Sequence, residues 1–276
     1  MSLITLTTDF GNKDHFVGSV KGALYSEIEN VNIVDISHNI SPFNIIEGAY
    51  IIQNSYKNFP EGSIHIIGVD SEKTPDQNHI AMILDGHYFI CANNGIMSLI
   101  SSKINPEKII EINIHNHKST SFTVLDVFVK VAAHIYRGGS IDLVGKRIQE
   151  LKELYDINPI VNEKNKEITG NVIYIDNYEN VITNISKTLF DEFGKSRPYV
   201  INARNYKFES IVNSYSEAIK FDIKKEIRKE EGKKLALFNK SKFLELAIYK
   251  SNPGNTGGAS SLFGLNYRDL VTIKFE

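Results

Sequence analysis

The chain has little of several features that would define other classes of protein. Its single cysteine, Cys91, excludes an intrachain disulfide and a zinc cluster built on cysteines. No apolar run reaches the roughly 18 residues that a membrane-spanning helix needs. The first ten residues also lack the positive start and apolar core of a signal peptide. We therefore expect a cytoplasmic protein with no membrane partner.

An excess of charge of one sign is missing as well. The chain has 31 Lys and Arg residues against 33 Asp and Glu residues, which gives a formal net charge of -2. That balance offers no electrostatic footprint for nucleic acid, so we expect no nucleic-acid partner. Hydrophobic residues make up 42% and charged residues 23% of the 276 positions. These values are typical of a globular protein with one large or two ordinary domains.

What is present in the first half is an alternation of strand and helix patterns. The strands are predicted at 3–7, 32–36, 63–69, 80–84, 88–91 and 108–114. The helices are predicted at 14–29, 44–57 and 124–136. Alternation of this kind is typical of a layered α/β domain, which we place at residues 1–155.

The composition changes after this region. Residues 147–166 are charged and contain Pro159, as expected for a connection between domains. Short strands follow, predicted at 167–175, 181–185, 199–203, 234–238, 243–247 and 270–275. Their spacing and turn residues predict a small β-barrel or sandwich. We therefore place a linker and a smaller, mostly-β, barrel-like C-terminal domain at 156–276.

Two carboxylates follow predicted parallel strands. Asp9 comes at the end of the first strand and Asp70 at the end of the third. Ligands of open α/β sheets bind at the carboxyl ends of their strands, so the two side chains are expected to meet in one crevice. A lone aspartate at such a position more often simply caps the turn that follows it. We interpret Asp9 as an acceptor for the two hydroxyls of a ribose.

Several short motifs together carry a family resemblance. They are Thr8–Gly11 (TDFG), Phe16–Gly18 (FVG), Val34–Ile36 (VDI), Ile175–Asn180 (IDNYEN) and Leu244–Ala247 (LELA). Through them the chain resembles the S-adenosylmethionine (SAM) hydrolases, also called SAM hydroxide adenosyltransferases, which are related to SAM-dependent fluorinase and chlorinase. The resemblance extends in order over nearly the whole chain.

The resemblance implies a small-molecule nucleoside sulfonium substrate, SAM itself, with no cofactor and no metal. It also implies a homotrimer whose active sites lie between subunits. Asp9 matches the family residue that binds both ribose hydroxyls. The other implied substrate-binding residues are Asp14 and Asp176 at the methionine ammonium, Ser241 at its carboxylate, Phe43, Tyr178 and Tyr215 as aromatic walls, and Asn180 at the adenine edge.

The sequence departs from the family at the residues that activate water. Asp70 matches the aspartate of the family's catalytic Asp-Arg-His set. Gln77 stands where that set has its arginine, and Thr123 stands where it has its histidine. His79, two residues after Gln77, is a possible substitute for the missing histidine.

These observations leave three hypotheses. The first is hydrolysis of SAM to adenosine and methionine, by attack of water or hydroxide at the ribose C5′ with a divergent water-activating set. The second is a SAM-binding or adenosine-binding protein without turnover. The third is a SAM-dependent halogenase, which is disfavoured because Val124 stands where fluorinase has its halide-contacting serine.

Overall fold

The computed structural model describes residues 3–102, 104–114, 120–154, 158–228, 230 and 232–276. The chain divides into two compact units, Met1–Leu154 and Tyr155–Glu276. The predicted boundary between residues 155 and 156 lies outside the described residues and stays a prediction.

The first unit is built on a mixed sheet with the strand order β2-β1-β3-β5-β4-β6-β7. Its strands are β1 (Ile4–Thr8), β2 (Ile33–Ser37), β3 (Ile64–Gly68), β4 (His79–Leu84), β5 (His87–Ala92), β6 (Lys108–Ile112) and β7 (Gly145–Arg147). The first three strands and β5 pair in parallel, and the remaining pairs are antiparallel. Its α-helices are α1 (Phe16–Glu27), α2 (Ile45–Ser55), α3 (Ile96–Ile100) and α4 (Val129–Tyr136).

Helices cover both faces of this sheet. Every residue of β1 and β3 is buried, as expected for central parallel strands with nonpolar contacts on both sides. Successive side chains of a strand point to opposite faces. Accordingly, Ile66 belongs to one core cluster with α1 and α4, whereas Ile67 belongs to another with α2 and α3. The predicted layered α/β domain is confirmed.

The helix predicted at 124–136 differs from a regular α-helix at its beginning. Val124–Phe128 forms a turn of π-helix before α4 begins at Val129. The γ-carbon of Val124 would lie only 2.9 Å from a Cβ on Gly68, so this turn packs closely against the end of β3. A single π-helical turn is too short to change the apolar pattern of the sequence visibly, so the pattern predicts a continuous helix.

The second unit is a barrel-like antiparallel sheet with the order β12-β11-β15-β9-β10-β14-β13, and β8 also pairs with β9. Its strands are β8 (Ile160–Asn162), β9 (Glu167–Ile175), β10 (Val181–Ser186), β11 (Tyr199–Ala203), β12 (Tyr206–Phe208), β13 (Lys234–Phe238), β14 (Phe243–Ile248) and β15 (Leu270–Phe275). Two short helices, α5 (Lys187–Gly194) and α6 (Ala259–Phe263), pack with it. The predicted mostly-β domain is confirmed.

The charged segment at 147–166 contains more structure than a connection needs. Arg147 ends β7, which pairs with β6, and Ile160–Asn162 forms β8 against β9. Neither short strand has the apolar run that would predict it. Each is an edge strand of three residues. β7 has the polar and charged composition that is common at sheet edges, whereas β8 carries the exposed Ile160 and Val161 and is too short to be predicted.

A chain of buried polar side chains crosses the centre of the first sheet. The Oγ1 of Thr5 lies 2.7 Å from Nδ1 of His65, and Nε2 of His65 lies 3.2 Å from Nδ1 of His87. The ring of His65 also stacks on Phe89 with centroids 4.8 Å apart. Burial, followed by the neighbouring charge of His87, lowers the pKa of His65 to about 3.

Acid should therefore destabilise the first unit through His65. An unfolded histidine takes up a proton near pH 6.5, whereas folded His65 does so only near pH 3. Its contribution to stability is present above pH 6.5 and is lost as the pH falls toward 3. We expect the free energy of unfolding in urea to fall by a few kcal/mol between pH 7 and pH 4, at about 1.4 kcal/mol per pKa unit.

The His65→Leu variant should lose part of this acid sensitivity. The His15→Leu variant, altered at an exposed histidine, should keep the wild-type slope. An equal slope in all three proteins would contradict the role of His65.

Candidate functional site

Asp9 joins three segments at the carboxyl ends of the central parallel strands. It follows β1, Asp70 lies two residues after β3, and Thr8 is in register with Gly68. The Oδ2 atom of Asp9 accepts hydrogen bonds from the backbone N–H of Phe43 at 3.0 Å and of Asp70 at 3.3 Å. The structure thus brings Asp9, Asp70 and Phe43 together.

Only one carboxylate oxygen of Asp9 is used in these bonds. Oδ1 accepts no hydrogen bond from any residue that the structure describes, and the side chain is half-buried. A carboxylate oxygen has room for more than one donor. Asp9 is therefore anchored through Oδ2 while Oδ1 can receive hydrogen bonds from a bound molecule.

The two residues bonded to Asp9 have unusual backbones. Phe43 has φ +61° and Asp70 has φ +45°. Aspartate tolerates the left-handed region, but a bulky residue there is an outlier and is strained. The ring of Phe43 is 73% exposed, so core packing does not explain its presence. Phe43 therefore presents an exposed aromatic ring next to Asp9, and its role as a wall for a ligand stays a prediction.

Asp70 has the electrostatics of a proton acceptor. Burial, and next the charge of Asp9, raise the pKa of Asp70 above its ordinary value. The charge of Lys152 and a hydrogen bond from the Gln77 side chain oppose that rise. A carboxylate with a raised pKa is a stronger base than an ordinary one.

Gln77 holds the loop that follows Asp70. Its Nε2 donates to the backbone carbonyl of Asp70 at 2.8 Å and to that of Glu72 at 3.0 Å. Asn94 adds a hydrogen bond from Nδ2 to the same Asp70 carbonyl at 3.2 Å. The Gln77 side chain therefore lies next to Asp70 and fixes its backbone.

Thr123 lies close to the same strand ends. It is buried and immediately precedes the π-helical turn. Val124, the next residue, packs against Gly68 at the end of β3. Thr123 thus precedes a residue that packs two positions before Asp70, and no contact between Thr123 and Asp70 is found among the described residues.

His79, the possible substitute for the missing histidine, is bound through Nε2 to the loop that follows Asp70, and its catalytic role stays a prediction. Its Nε2 lies 3.1 Å from the backbone carbonyl of Ser71, and its ring meets the edge of Phe128. A carbonyl only accepts, so Nε2 carries a proton and cannot take another. Burial lowers the pKa of His79 to about 4. His79 ties down the loop beginning at Ser71.

A second polar chain supports the turn that carries Asp9. The buried His38 has its Nδ1 2.8 Å from the hydroxyl of Thr8 and its Nε2 3.1 Å from Oδ1 of Asp35, the latter without hydrogen-bond geometry. Lys21 pairs with the other oxygen of Asp35 at 2.5 Å. The backbone N–H of Gly11 donates to the His38 carbonyl at 2.7 Å. These contacts fix Thr8 before Asp9 and Gly11 after it.

Asp14 lies outside the hydrogen-bonded group of Asp9, Asp70 and Phe43 in the described part of the chain. It is exposed in the turn before α1, and no contact in the described part of the chain joins it to Asp9. Its role at a methionine ammonium stays a prediction.

In the second unit, Asp176 organises the turn between β9 and β10. Its Oδ1 accepts from the backbone N–H of Tyr178 at 2.9 Å and of Asn180 at 2.8 Å. Its Oδ2 accepts from Nδ2 of Asn180 at 2.9 Å. The turn buries Asn180 and leaves the Tyr178 ring 62% exposed. These three predicted residues lie together.

Tyr215 and Ser241 are connected through a residue that sequence analysis did not assign. The Tyr215 hydroxyl donates to Oε1 of Glu245 on β14. Ser241 lies in the turn between β13 and β14, where Oδ1 of Asn239 accepts from the backbone N–H of Ser241 at 3.0 Å and of Phe243 at 3.2 Å. The signal for Glu245 was available, because it is a lone charge between Leu244 and Leu246 in an apolar run.

No cluster of three or more metal-ligating side chains occurs in the described part of the chain. In the first unit, the carboxylates of Asp9 and Asp70 lie beside the exposed aromatic ring of Phe43. Carboxylates bind hydroxyls and cations, and exposed aromatic rings stack on flat heterocycles. Such a set suits a nucleoside that carries a positively charged group. No described helix is long and apolar enough to cross a membrane.

The fold and these residues define a two-part protein that pairs an α/β unit with a barrel-like unit. The sequence model of the SAM hydroxide adenosyltransferase N-terminal domain matches residues 4–145, and that of the C-terminal domain matches residues 170–272. The chain belongs to the SAM hydroxide adenosyltransferase family.

Individual relatives agree with this assignment. A protein of Methanocaldococcus jannaschii named (R)-S-adenosyl-L-methionine hydrolase is 31% identical over 99% of this chain and 96% of its own length. A fluorinase of Nocardia brasiliensis is 23% identical over 70% of this chain and 74% of its own. An uncharacterized conserved protein of Thermotoga maritima has the same fold, with a TM-score of 0.81, 24% identity and coverage of 99% of this chain and 100% of that structure.

The turn at Asp176 gives a stability test. Its carboxylate accepts three hydrogen bonds, and hydrogen bonds to a charged group contribute about 1.5–3 kcal/mol each at most. We expect Asp176→Ala to lower the free energy of unfolding by about 1–3 kcal/mol in urea titration. Asp176→Asn keeps one acceptor oxygen and should lose less. Equal stability of the two variants would refute the turn-organising role, and Asp222→Ala at an exposed position is the matched control.

Proposed function

We propose that the chain hydrolyses S-adenosyl-L-methionine to adenosine and L-methionine. Membership of the family and the full-length relative named (R)-S-adenosyl-L-methionine hydrolase support this reaction. The observation that carries it is Asp9, which is anchored through Oδ2 beside Asp70 and an exposed Phe43 ring. Its other oxygen is available to a ribose diol at the carboxyl ends of parallel strands.

The other predicted binding residues complete this proposal. Asp9 binds the ribose, and Asn180 reads the adenine edge with an amide that can both donate and accept. The remaining proposed contacts are Asp14 and Asp176 to the methionine ammonium, Ser241 to its carboxylate, and Phe43, Tyr178 and Tyr215 to the ribose and adenine faces. We further propose a cytoplasmic homotrimer with active sites completed by a neighbouring subunit, and a reaction that uses no cofactor.

The proposed reaction breaks one bond and forms another. An oxygen of water attacks the ribose C5′, the bond between C5′ and sulfur breaks, and its electron pair neutralises the sulfonium, so that methionine leaves as a neutral thioether. The proton that water loses passes to Asp70, whose pKa is raised by burial and by Asp9. Alignment of the reactants can supply about 7–11 kcal/mol of the barrier, and a general base adds about 10²–10⁴-fold.

The altered positions of the catalytic set support the base rather than supply charge. Gln77 fixes the Asp70 backbone through its two carbonyl contacts. We propose that the Thr123 hydroxyl orients the attacking water. The reaction can tolerate these replacements because the substrate already carries a good leaving group.

One observation favours a second candidate, a SAM-binding or adenosine-binding protein without turnover. The Gln77 amide nitrogen is occupied by backbone carbonyls, and it carries no charge in place of the family arginine. A halogenase is disfavoured because Val124 packs on Gly68 and supplies no hydroxyl for a halide.

Incubation of the pure protein with SAM separates these candidates. We expect adenosine and methionine in a 1:1 ratio, with the same yield when chloride or fluoride is added. The products are measured by liquid chromatography. A halonucleoside would support the halogenase, and binding without any product would support the second candidate.

The Asp70→Asn variant is the control for the chemistry in that experiment. It should retain SAM binding and lose turnover by at least about 10²-fold, the lower end for a general base. Turnover equal to wild type would remove Asp70 from the mechanism.

Asp9→Asn should weaken nucleoside binding without unfolding the protein. The amide oxygen can still accept the Phe43 and Asp70 N–H groups, whereas the lost charge weakens bonds to a diol worth about 1.5–3 kcal/mol each. We expect the adenosine Kd, measured by calorimetry, to rise at least tenfold. Asp142→Asn, at an exposed aspartate, should leave the Kd unchanged. An unchanged Kd in Asp9→Asn would refute the diol contact.

A further inference from the structure

Glu245 is a charged side chain in a place that normally excludes charge. It is 4% exposed and stands on β14 between the buried Leu244 and Leu246. A buried carboxylate is costly unless it is hydrogen-bonded. Glu245 in the interior of this strand therefore requires hydrogen-bond donors.

The partners of Glu245 come from two separate segments of the second unit. The Tyr215 hydroxyl, on the 3₁₀ turn Tyr215–Ala218, donates to Oε1 of Glu245. The Asn239 side chain also hydrogen-bonds this carboxylate. The side-chain oxygen Oδ1 of Asn239 accepts hydrogen bonds from the backbone of the Ser241 turn. The Glu245 carboxylate therefore links the Tyr215 ring to that turn.

The hydrogen bond to Glu245 fixes the hydroxyl end of the Tyr215 ring. The residue remains 41% exposed, so its ring is held at the hydroxyl end while part of it faces outward. A ring fixed in this way loses less conformational entropy when a ligand stacks on it. Asp176, another predicted binding residue, lies near enough for its charge to act on Glu245.

We propose that Glu245 is a positioning residue of the nucleoside site, which holds the Tyr215 ring in the arrangement that the substrate meets. This inference rests on the proposed function. It assigns to Glu245 no contact with the substrate. A purely structural role would change stability alone, whereas a positioning role changes affinity through Tyr215.

The test is a double-mutant cycle on the adenosine Kd, measured by calorimetry with Glu245→Leu, Tyr215→Phe and the double variant. We expect Glu245→Leu to weaken binding about three- to tenfold, the range for ordering one side chain. In the Tyr215→Phe background the same substitution should change the Kd less than about twofold, since the two residues act as a unit. Additive effects would overturn the proposal.

Glu245→Gln is the conservative variant. Its amide oxygen can accept the Tyr215 hydroxyl, although its NH₂ group meets the NH₂ group of Asn239. Its Kd should lie between those of wild type and Glu245→Leu, and it keeps the test valid if the leucine variant does not fold. The Kd should not change in Glu192→Leu, altered at an exposed glutamate of α5.

Failure of this inference is distinguishable from failure of the proposed function. A wild-type protein that binds neither adenosine nor SAM refutes the function, and the positioning role with it. Normal wild-type affinity that is equally retained by Glu245→Leu and Glu245→Gln overturns only the role of Glu245.

Discussion

The hydrogen bonds accepted by a single oxygen of Asp9 are the constraint on which the rest of the site depends. They tie the end of β1 to Asp70, two residues after β3, and to the loop before α2. Backbone N–H groups bonded to a carboxylate are charge-assisted and therefore strong. Because one oxygen is committed to the fold, the position of the other is set by the sheet rather than by a mobile side chain. Such preorganisation lowers the cost of binding.

Carboxylates also hold loops in place in the second unit. Asp176 uses its carboxylate to shape the turn that presents Tyr178 and Asn180, and Glu245 connects Tyr215 with the Ser241 turn through Asn239. Carboxylates thus act as internal anchors near each group of predicted binding residues. The replacements at Gln77 and Thr123 leave these anchors intact, because Gln77 closes the loop after Asp70 with neutral hydrogen bonds.

Much of the fold could be predicted because the responsible signals are local. The alternation of apolar and hydroxylated residues in β1, the apolar run of β3 and the carboxylates at their ends were sufficient to predict neighbouring parallel strands with Asp9 and Asp70 in one crevice. The π-helical turn at Val124 could not be predicted, since it depends on packing against Gly68, which is distant in the chain. The β8 strand was missed because pairing with β9, rather than its own composition, defines it.

The site could be predicted only in part. The resemblance singled out Asp9, Phe43 and Asp70, and the structure joins them by hydrogen bonds. It could not reveal that the His79 ring faces a carbonyl, because a strand residue can point to either face. The binding and catalytic roles assigned to the site residues, those of Asp14 and Ser241 included, remain predictions.

The left-handed backbone of Phe43 lowers the stability of the fold, whereas its ring is proposed to contact the ligand. Glycine would adopt φ +61° without strain, which for other residues costs of order 1–3 kcal/mol. Selection for heat resistance alone would therefore favour glycine at this position and discard the aromatic ring. Laboratory evolution for thermal tolerance should accordingly be paired with a screen for nucleoside binding. Without that screen, selection would raise the stability of the fold and remove the aromatic ring beside Asp9.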